Sequence, residues 1–154
     1  MKTFGSVTEI LDFAIGEEEA AAQFYTDLAA KMDRPWMRQV FEVFAAEEQG
    51  HKEKLLAVKG GKMKLFTEKK VLDLKISDYL IEVEAGQDPQ ALDYQQALII
   101  AMKKEKAAFK LYHDLAAATE DEWLRNVLLG LAQEEAKHKL RFEIEYDEQF
   151  LSEN

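Results

Sequence analysis

The chain has 154 residues, with 30 acidic against 20 basic side chains for a formal net charge of -10, and no cysteine. That length suits one domain, residues 1–154, whose core needs no disulfide or structural metal to be stable. The missing thiols exclude disulfides, thiolate zinc sites and thiolate-bound iron on this chain, and the acidity argues against nucleic acid as a partner. Only oxygen and imidazole ligands remain for any metal.

The opening Met1-Lys2-Thr3-Phe4-Gly5 lacks the apolar core of a signal peptide, and no run of roughly 18 apolar residues occurs. The expectation is a soluble, cytoplasmic protein without membrane contact. Two prolines, seven glycines and abundant Ala, Glu, Lys and Leu predict an all-α protein. A first helix begins after Ser6-Val7-Thr8-Glu9, which has the form of a capping box, and runs to about Lys31. Its apolar stripe is Val7, Leu11, Ala14, Glu18, Ala21, Tyr25, Leu28, Met32, broken by one carboxylate. Glu17 and Glu19 point about 100° to either side and are expected in solvent.

Asp33-Arg34-Pro35 predicts a turn, with Asp33 as cap and Pro in the first turn of the next helix. That second helix is expected to reach about Val58, stopped by Gly60-Gly61. Its stripe is Met37, Phe41, Phe44, Glu48, His51, Leu55, Val58. Two ionisable groups stand where Leu belongs, and an unpaired carboxylate in a core costs on the order of several kcal/mol or is neutralised.

Residues 59–92 carry weaker signals: an apolar, Lys-rich strip from Met63 to Leu74, a Ser77-Asp78-Tyr79-Leu80 stretch that could cap a brief helix, and a break at Asp88-Pro89. So long a connection is unusual inside a compact domain; it could travel the length of a bundle, or serve as a lid or partner surface. A third helix follows Asp93, whose capping partner is Gln96, with the stripe Tyr94, Leu98, Ala101, Glu105, Ala108, Tyr112, Leu115. Thr119-Glu120-Asp121-Glu122 predicts a further capping box, and a fourth helix gives Leu124, Leu128, Leu131, Glu135, His138, Phe142. Leu151 to Asn154 is expected to fray.

The halves repeat. Adding 87 takes Glu18 to Glu105, Tyr25 to Tyr112, Asp27 to Asp114, Leu28 to Leu115, Trp36 to Trp123, Arg38 to Arg125, Val40 to Val127, Glu48 to Glu135 and His51 to His138, without a gap. The chain therefore reads as two helical hairpins. Glu18 and Glu48 are centred on the first turn, Glu105 and Glu135 on the second, and residues equidistant from a hairpin turn lie at one height. Packing the stripes together puts four Glu and two His in one core layer. Two divalent cations would neutralise the carboxylates, with the imidazoles as further ligands. Oxygen-rich donors of this kind suit iron or manganese, and zinc can also enter. Tyr25 and Tyr112, two turns along the same faces, either donate hydrogen bonds to ligand carboxylates or pack the core. His113, with Lys110 three residues before it, is expected to be exposed and without a role.

These motifs resemble the ferritin-like carboxylate dimetal bundle, an established pattern, and within it the rubrerythrin group. The segments that carry the likeness are Ala14-Ile15-Gly16-Glu17-Glu18 with Phe24-Tyr25, Glu47-Glu48-Gln49-Gly50-His51, Lys104-Glu105-Lys106 with Tyr112, and Glu134-Glu135-Ala136-Lys137-His138. The resemblance implies a four-helix bundle with a long crossover between helices 2 and 3. It further implies Glu48 and Glu135 as bridges between two metals, Glu18 and Glu105 as terminal carboxylates, and His51 and His138 serving one metal each. Two departures stand out. No cysteine-bound rubredoxin domain is present, so an external electron donor protein is expected. The extra Glu that rubrerythrins carry one turn after the helix-3 ligand is here Ala108.

The leading functional expectation is a non-haem dimetal, diiron, oxidoreductase acting on peroxide or dioxygen. The alternatives are ferroxidase chemistry with Fe(II) as substrate, an iron-binding or storage subunit, and a metal-stabilised interaction module using Trp36, Trp123 and the Met63 to Leu74 segment. A homodimer is expected on general frequency alone.

Overall fold

A computed structural model describes residues 3–81 and 93–151. Four long helices form the body: α1 (Val7–Lys31), α2 (Pro35–Gly61), α4 (Tyr94–Ala117) and α5 (Glu122–Tyr146), with a short α3 (Glu68–Leu72) between the pairs. Among the described residues no strand occurs, only two isolated bridges, Thr3 with Lys75 and Phe66 with Thr119. No helix among them is long and apolar enough to cross a membrane. The architecture is the expected all-α four-helix bundle.

The helix starts follow from local chemistry. Ser6 accepts from the Glu9 amide, and Asp93 and Gln96 form a reciprocal capping box. Three boundaries differ from the sequence expectation. The cap of α2 is Arg34 rather than Asp33 and makes no side-chain cap bond; Pro35 at the first helical position has no amide to satisfy. That helix runs through Gly60 and Gly61 and closes with the Lys62 amide on the Val58 carbonyl at 2.8 Å. The cap of α5 is Asp121, which accepts from the Leu124 amide, because Thr119 is engaged elsewhere: its buried hydroxyl donates to the Leu65 carbonyl at 2.5 Å.

The hairpin turns share a clasp. Arg38 donates to the Met32 carbonyl at 2.6 Å, and Arg125 donates to the Thr119 carbonyl at 2.8 Å, which accounts for that repeated arginine. Trp36 and Trp123 are both exposed, under Arg34 and Lys62 respectively.

The core falls into two apolar clusters. One joins Ile10, Leu11 and Ala14 of α1 and Leu55 and Val58 of α2 to Leu111 and Leu115 of α4 and Leu124, Leu128 and Leu131 of α5. The other joins the later half of α1 and the early half of α2 to Ala97, Leu98 and Ala101 of α4 and Phe142 of α5. The two hairpin turns therefore lie at opposite ends of the bundle, and the chain leaves α2 at one end and enters α4 at the other, as a long crossover requires. Its first part is core rather than surface: Phe66, Val71 and Tyr79 are buried in the first cluster, and Tyr79 donates to Asp114 at 2.8 Å. The break at Asp88-Pro89 lies outside the described residues, as do 152–154 of the expected frayed end; Leu151 closes a π-helical turn, Asp147–Leu151.

Candidate metal centre

Between the two clusters lies the polar layer. The apolar stripes of α1, α2, α4 and α5 carry Glu18, Glu48 with His51, Glu105, and Glu135 with His138 into it, and all six are 0–2 % exposed. One set of donor atoms, from Glu18, Glu48, His51 and Glu135, lies within 4.8 Å; a second, from Glu48, Glu105, Glu135 and His138, is as tight. Glu48 and Glu135 belong to both. Nδ1 of His51 is 2.6 Å from Glu135, 3.4 Å from Glu48 and 3.6 Å from Glu18. Nδ1 of His138 is 3.3 Å from Glu48 and 3.5 Å from Glu105.

The layer's own hydrogen bonding leaves it incomplete. Among the described residues, the buried side-chain nitrogen and oxygen atoms with no hydrogen bond of good geometry are Glu18 Oε2, Glu48 Oε1, His51 Nδ1, Glu105 Oε2, both oxygens of Glu135, and His138 Nδ1, the 2.6 Å approach of His51 to Glu135 being an ion-pair contact. Every one belongs to these two donor sets, although buried polar groups are nearly always paired. Carboxylate oxygens and inward imidazole nitrogens, converging on two points and lacking donors, fit hard or borderline divalent cations.

Electrostatics agree. Burial pushes the Glu48 carboxyl up, His138 partly relieves it, and Glu105 and Glu18 push it further; Glu135 is raised well above the usual range by burial and then by Glu105. Burial alone would lower the histidines. Contact with Glu18 and Glu134 instead holds His51 up at about 9, and contact with Glu105, Glu48 and Glu47 holds His138 at about 11. The cluster without cations thus retains protons that a cation would displace.

The tyrosines resolve toward hydrogen bonding, and crosswise. Tyr25 of α1 donates to Glu105 of α4, and Tyr112 of α4 donates to Glu18 of α1. Each phenol is fully buried and its pKa is raised well above the ordinary value by burial and by the carboxylate it faces. His113 is exposed, with its ring beside Phe109.

Two further carboxylates join the layer from outside the inward stripes. Glu47 and Glu134 lie on the helix flanks, with side chains 43 % and 42 % exposed, yet each reaches the histidine of the opposite hairpin. Nε2 of His138 bonds to Glu47 and Nε2 of His51 to Glu134, both at 2.5 Å. Glu47 therefore points away from the seam but still touches the layer through His138. The outer nitrogen is thereby held as the donor and Nδ1 as the inward atom. The signal was present, since 47 and 134 differ by 87. Glu19 is exposed as expected, but Glu17 is half-buried and lines a small cavity of about 20 Å³ with Glu18, Glu105 and Ala108. Burial raises its carboxyl while Lys104 lowers it.

The model of the rubrerythrin family matches residues 9–146. The chain belongs to the rubrerythrin family. No curated protein matches it. Among solved structures, one from Thermotoga maritima, provisionally described as a ferritin-like diiron-carboxylate protein, superposes with a TM-score of 0.79 at 20% identity, covering 96% of this chain and 99% of its own. At that identity the likeness speaks for the fold. Unlike rubrerythrins with a rubredoxin domain, this member has no cysteine.

Proposed function

We propose that the layer holds two divalent metal ions, iron in the first place with manganese or zinc as substitutes, and that the protein is a dimetal oxidoreductase acting on peroxide or dioxygen. The observation that carries this reading is the set of unpartnered buried atoms, all in two donor groups that share Glu48 and Glu135. Those two carboxylates would bridge the ions, Glu18 with His51 would complete one site, and Glu105 with His138 the other. The ions supply Lewis acidity and one-electron redox capacity.

The chain's own groups fix how such a pair could be used. Tyr25 and Tyr112 hold one oxygen of Glu105 and of Glu18 by hydrogen bonds, leaving the other oxygen of each to face a cation. Glu47 and Glu134 orient the imidazoles. Ala108, in place of a longer side chain, lines a cavity beside Glu18 and Glu105 that accommodates a water-sized molecule. The clusters on both sides exclude bulk water. With no thiolate centre on the chain, the electrons come from an external donor protein.

Anaerobic loading with Fe(II) followed by metal analysis is expected to give two ions per chain, lost in the Glu48→Ala, Glu135→Ala double variant. Stopped-flow mixing of the loaded protein with hydrogen peroxide and with dioxygen then identifies the oxidant. Unchanged uptake in the double variant, or no oxidation by either reagent, overturns the reading.

A further inference from the structure

The two buried tyrosines differ in what lies beyond them. Tyr112 sits among leucines, and no aromatic ring packs on it among the described residues. Tyr25 stacks on Phe41 with centroids 6.4 Å apart, Phe41 meets Tyr94 edge-on at 6.3 Å, and Tyr94 adjoins Phe150 at 6.2 Å. Phe150 in turn lies 5.3 Å from Tyr146. A continuous line of rings therefore joins the carboxylate layer, through the Tyr25 bond to Glu105, to the half-buried Tyr94 and the partly exposed residues beside it.

Tyr94 is equipped for more than packing. Its hydroxyl donates to Glu145 Oε1 at 3.0 Å, and Glu145 is 1 % exposed. Arg34 pairs with that carboxylate at 3.1 Å and lies 5.1 Å over the Tyr94 ring. A phenol gives up an electron readily only when its proton can leave in the same event. Glu145, held by Arg34, is an acceptor already on that proton.

Resting on the dimetal reading above, we propose that Tyr94 is the outer station of a one-electron route to the carboxylate layer, with Phe41 and Tyr25 as the intervening rings and Glu145 as the proton acceptor. Electron counting gives the route a use. Reduction of dioxygen to two waters consumes four electrons and four protons; the protons come from solvent, and two Fe(II) ions hold two of the electrons. Tyr94 supplies one more: its O–H bond breaks, the proton passes to Glu145 Oε1, the electron passes inward along the rings, and a neutral phenoxyl remains. An outer-sphere one-electron donor, such as a reduced iron-sulfur or flavin protein, returns the electron at the surface while Glu145 returns the proton. A second passage supplies the fourth.

The test is a single turnover of the Fe(II)-loaded full chain with dioxygen and one further equivalent of Fe(II) per chain as the source of the fourth electron, with no other reductant, frozen and read by electron paramagnetic resonance, with metal content and ferric absorption measured on the same sample. A tyrosyl signal that narrows on incorporation of ring-deuterated tyrosine is expected. It is expected to vanish in Tyr94→Phe and to persist in Tyr79→Phe, a control phenol bonded to Asp114 in the other cluster. Glu145→Gln, which retains a hydrogen-bond acceptor but does not take up a proton, is expected to lose it as well; circular dichroism checks that each variant folds. Two or more oxidised irons per chain with no tyrosyl signal, or a signal unchanged in Tyr94→Phe, overturns this proposal and leaves the metal site standing. Failure to take up iron overturns both.

Discussion

The two halves of the core occupy equivalent places about the carboxylate layer, yet Phe41, Phe44 and Phe142 of one stand, at the spacing of 87, against Leu128, Leu131 and Leu55 of the other. The six candidate ligands repeat without change while their surroundings do not. In the aromatic half, Phe44 stacks on His138 with centroids 3.9 Å apart, and Phe142 meets Phe44 at 5.3 Å. The position equivalent to Phe44 at the spacing of 87 is Leu131. The identity of the buried Glu and His is thus constrained by charge balance at both positions, whereas the side chains that wrap each position need only fill space. Those wrapping residues are where two chemically duplicate sites acquire different properties.

The largest expected test of this comparison is pH. Both histidines have pKa values raised above the unfolded value near 6.5, so their protonated forms are stabilised by folding. That contribution is complete below pH 6.5 and is lost as pH rises, through about 9 for His51 and through about 11 for His138. The melting temperature of metal-free protein is therefore expected to fall as pH rises above 6.5, the later part of the fall belonging to the aromatic half. With metal added the trend reverses, since cations displace those protons. A metal-free melting temperature that is flat or climbs over this range would contradict the assignment.

Core truncation comes next. Phe41→Ala is expected to cost about 3–5 kcal/mol, and Leu128→Ala about 2–5 kcal/mol with the smaller cavity, measured by urea unfolding. Equal losses would show that the stacked rings around Phe41 contribute no more than the aliphatic packing they replace. Removing the outer carboxylates is expected to weaken metal binding roughly 10–100-fold in each case: Glu47→Ala at the site of His138 and Glu134→Ala at that of His51. Competition titration with a chelator should see one tight and one weakened ion per chain in each variant. Two unchanged ions would mean that the imidazoles need no external anchor. The smallest effect is reserved for Phe44→Leu, which makes the surroundings of His138 like those of His51. Loss of the stacked pair is worth about 0.5–1.5 kcal/mol, and imidazole proton resonances that fail to converge would place the asymmetry elsewhere.

Much of this was legible from residue order. Helix type, the inward stripes, the duplicated hairpins and the convergence of Glu18, Glu48, His51, Glu105, Glu135 and His138 all follow from helical periodicity and counting from the turns. The crossed bonds of Tyr25 and Tyr112 were open between two readings because spacing fixes a face but not a partner on another helix. Glu47 and Glu134 were missed for a related reason: helical angle places their Cβ atoms on the flank, and a long, flexible carboxylate still reaches an imidazole from there. The cap boundaries slipped by one or two residues where a side chain found a tertiary partner, as Thr119 did at Leu65. The fate of Phe66, Val71 and Tyr79 depended on contacts with distant helices, which local pattern does not encode.

Each four-donor group takes three side chains from one hairpin and one from the other: Glu18, Glu48 and His51 with Glu135, and Glu105, Glu135 and His138 with Glu48. Neither hairpin can complete a site alone. Any ion bound there is consequently a cross-link between segments far apart in sequence, closing a loop much as a disulfide would and restricting the unfolded chain if it remained attached. Two such links side by side, sharing Glu48 and Glu135, would tie α2 to α5 at mid-height, where the apolar clusters are interrupted.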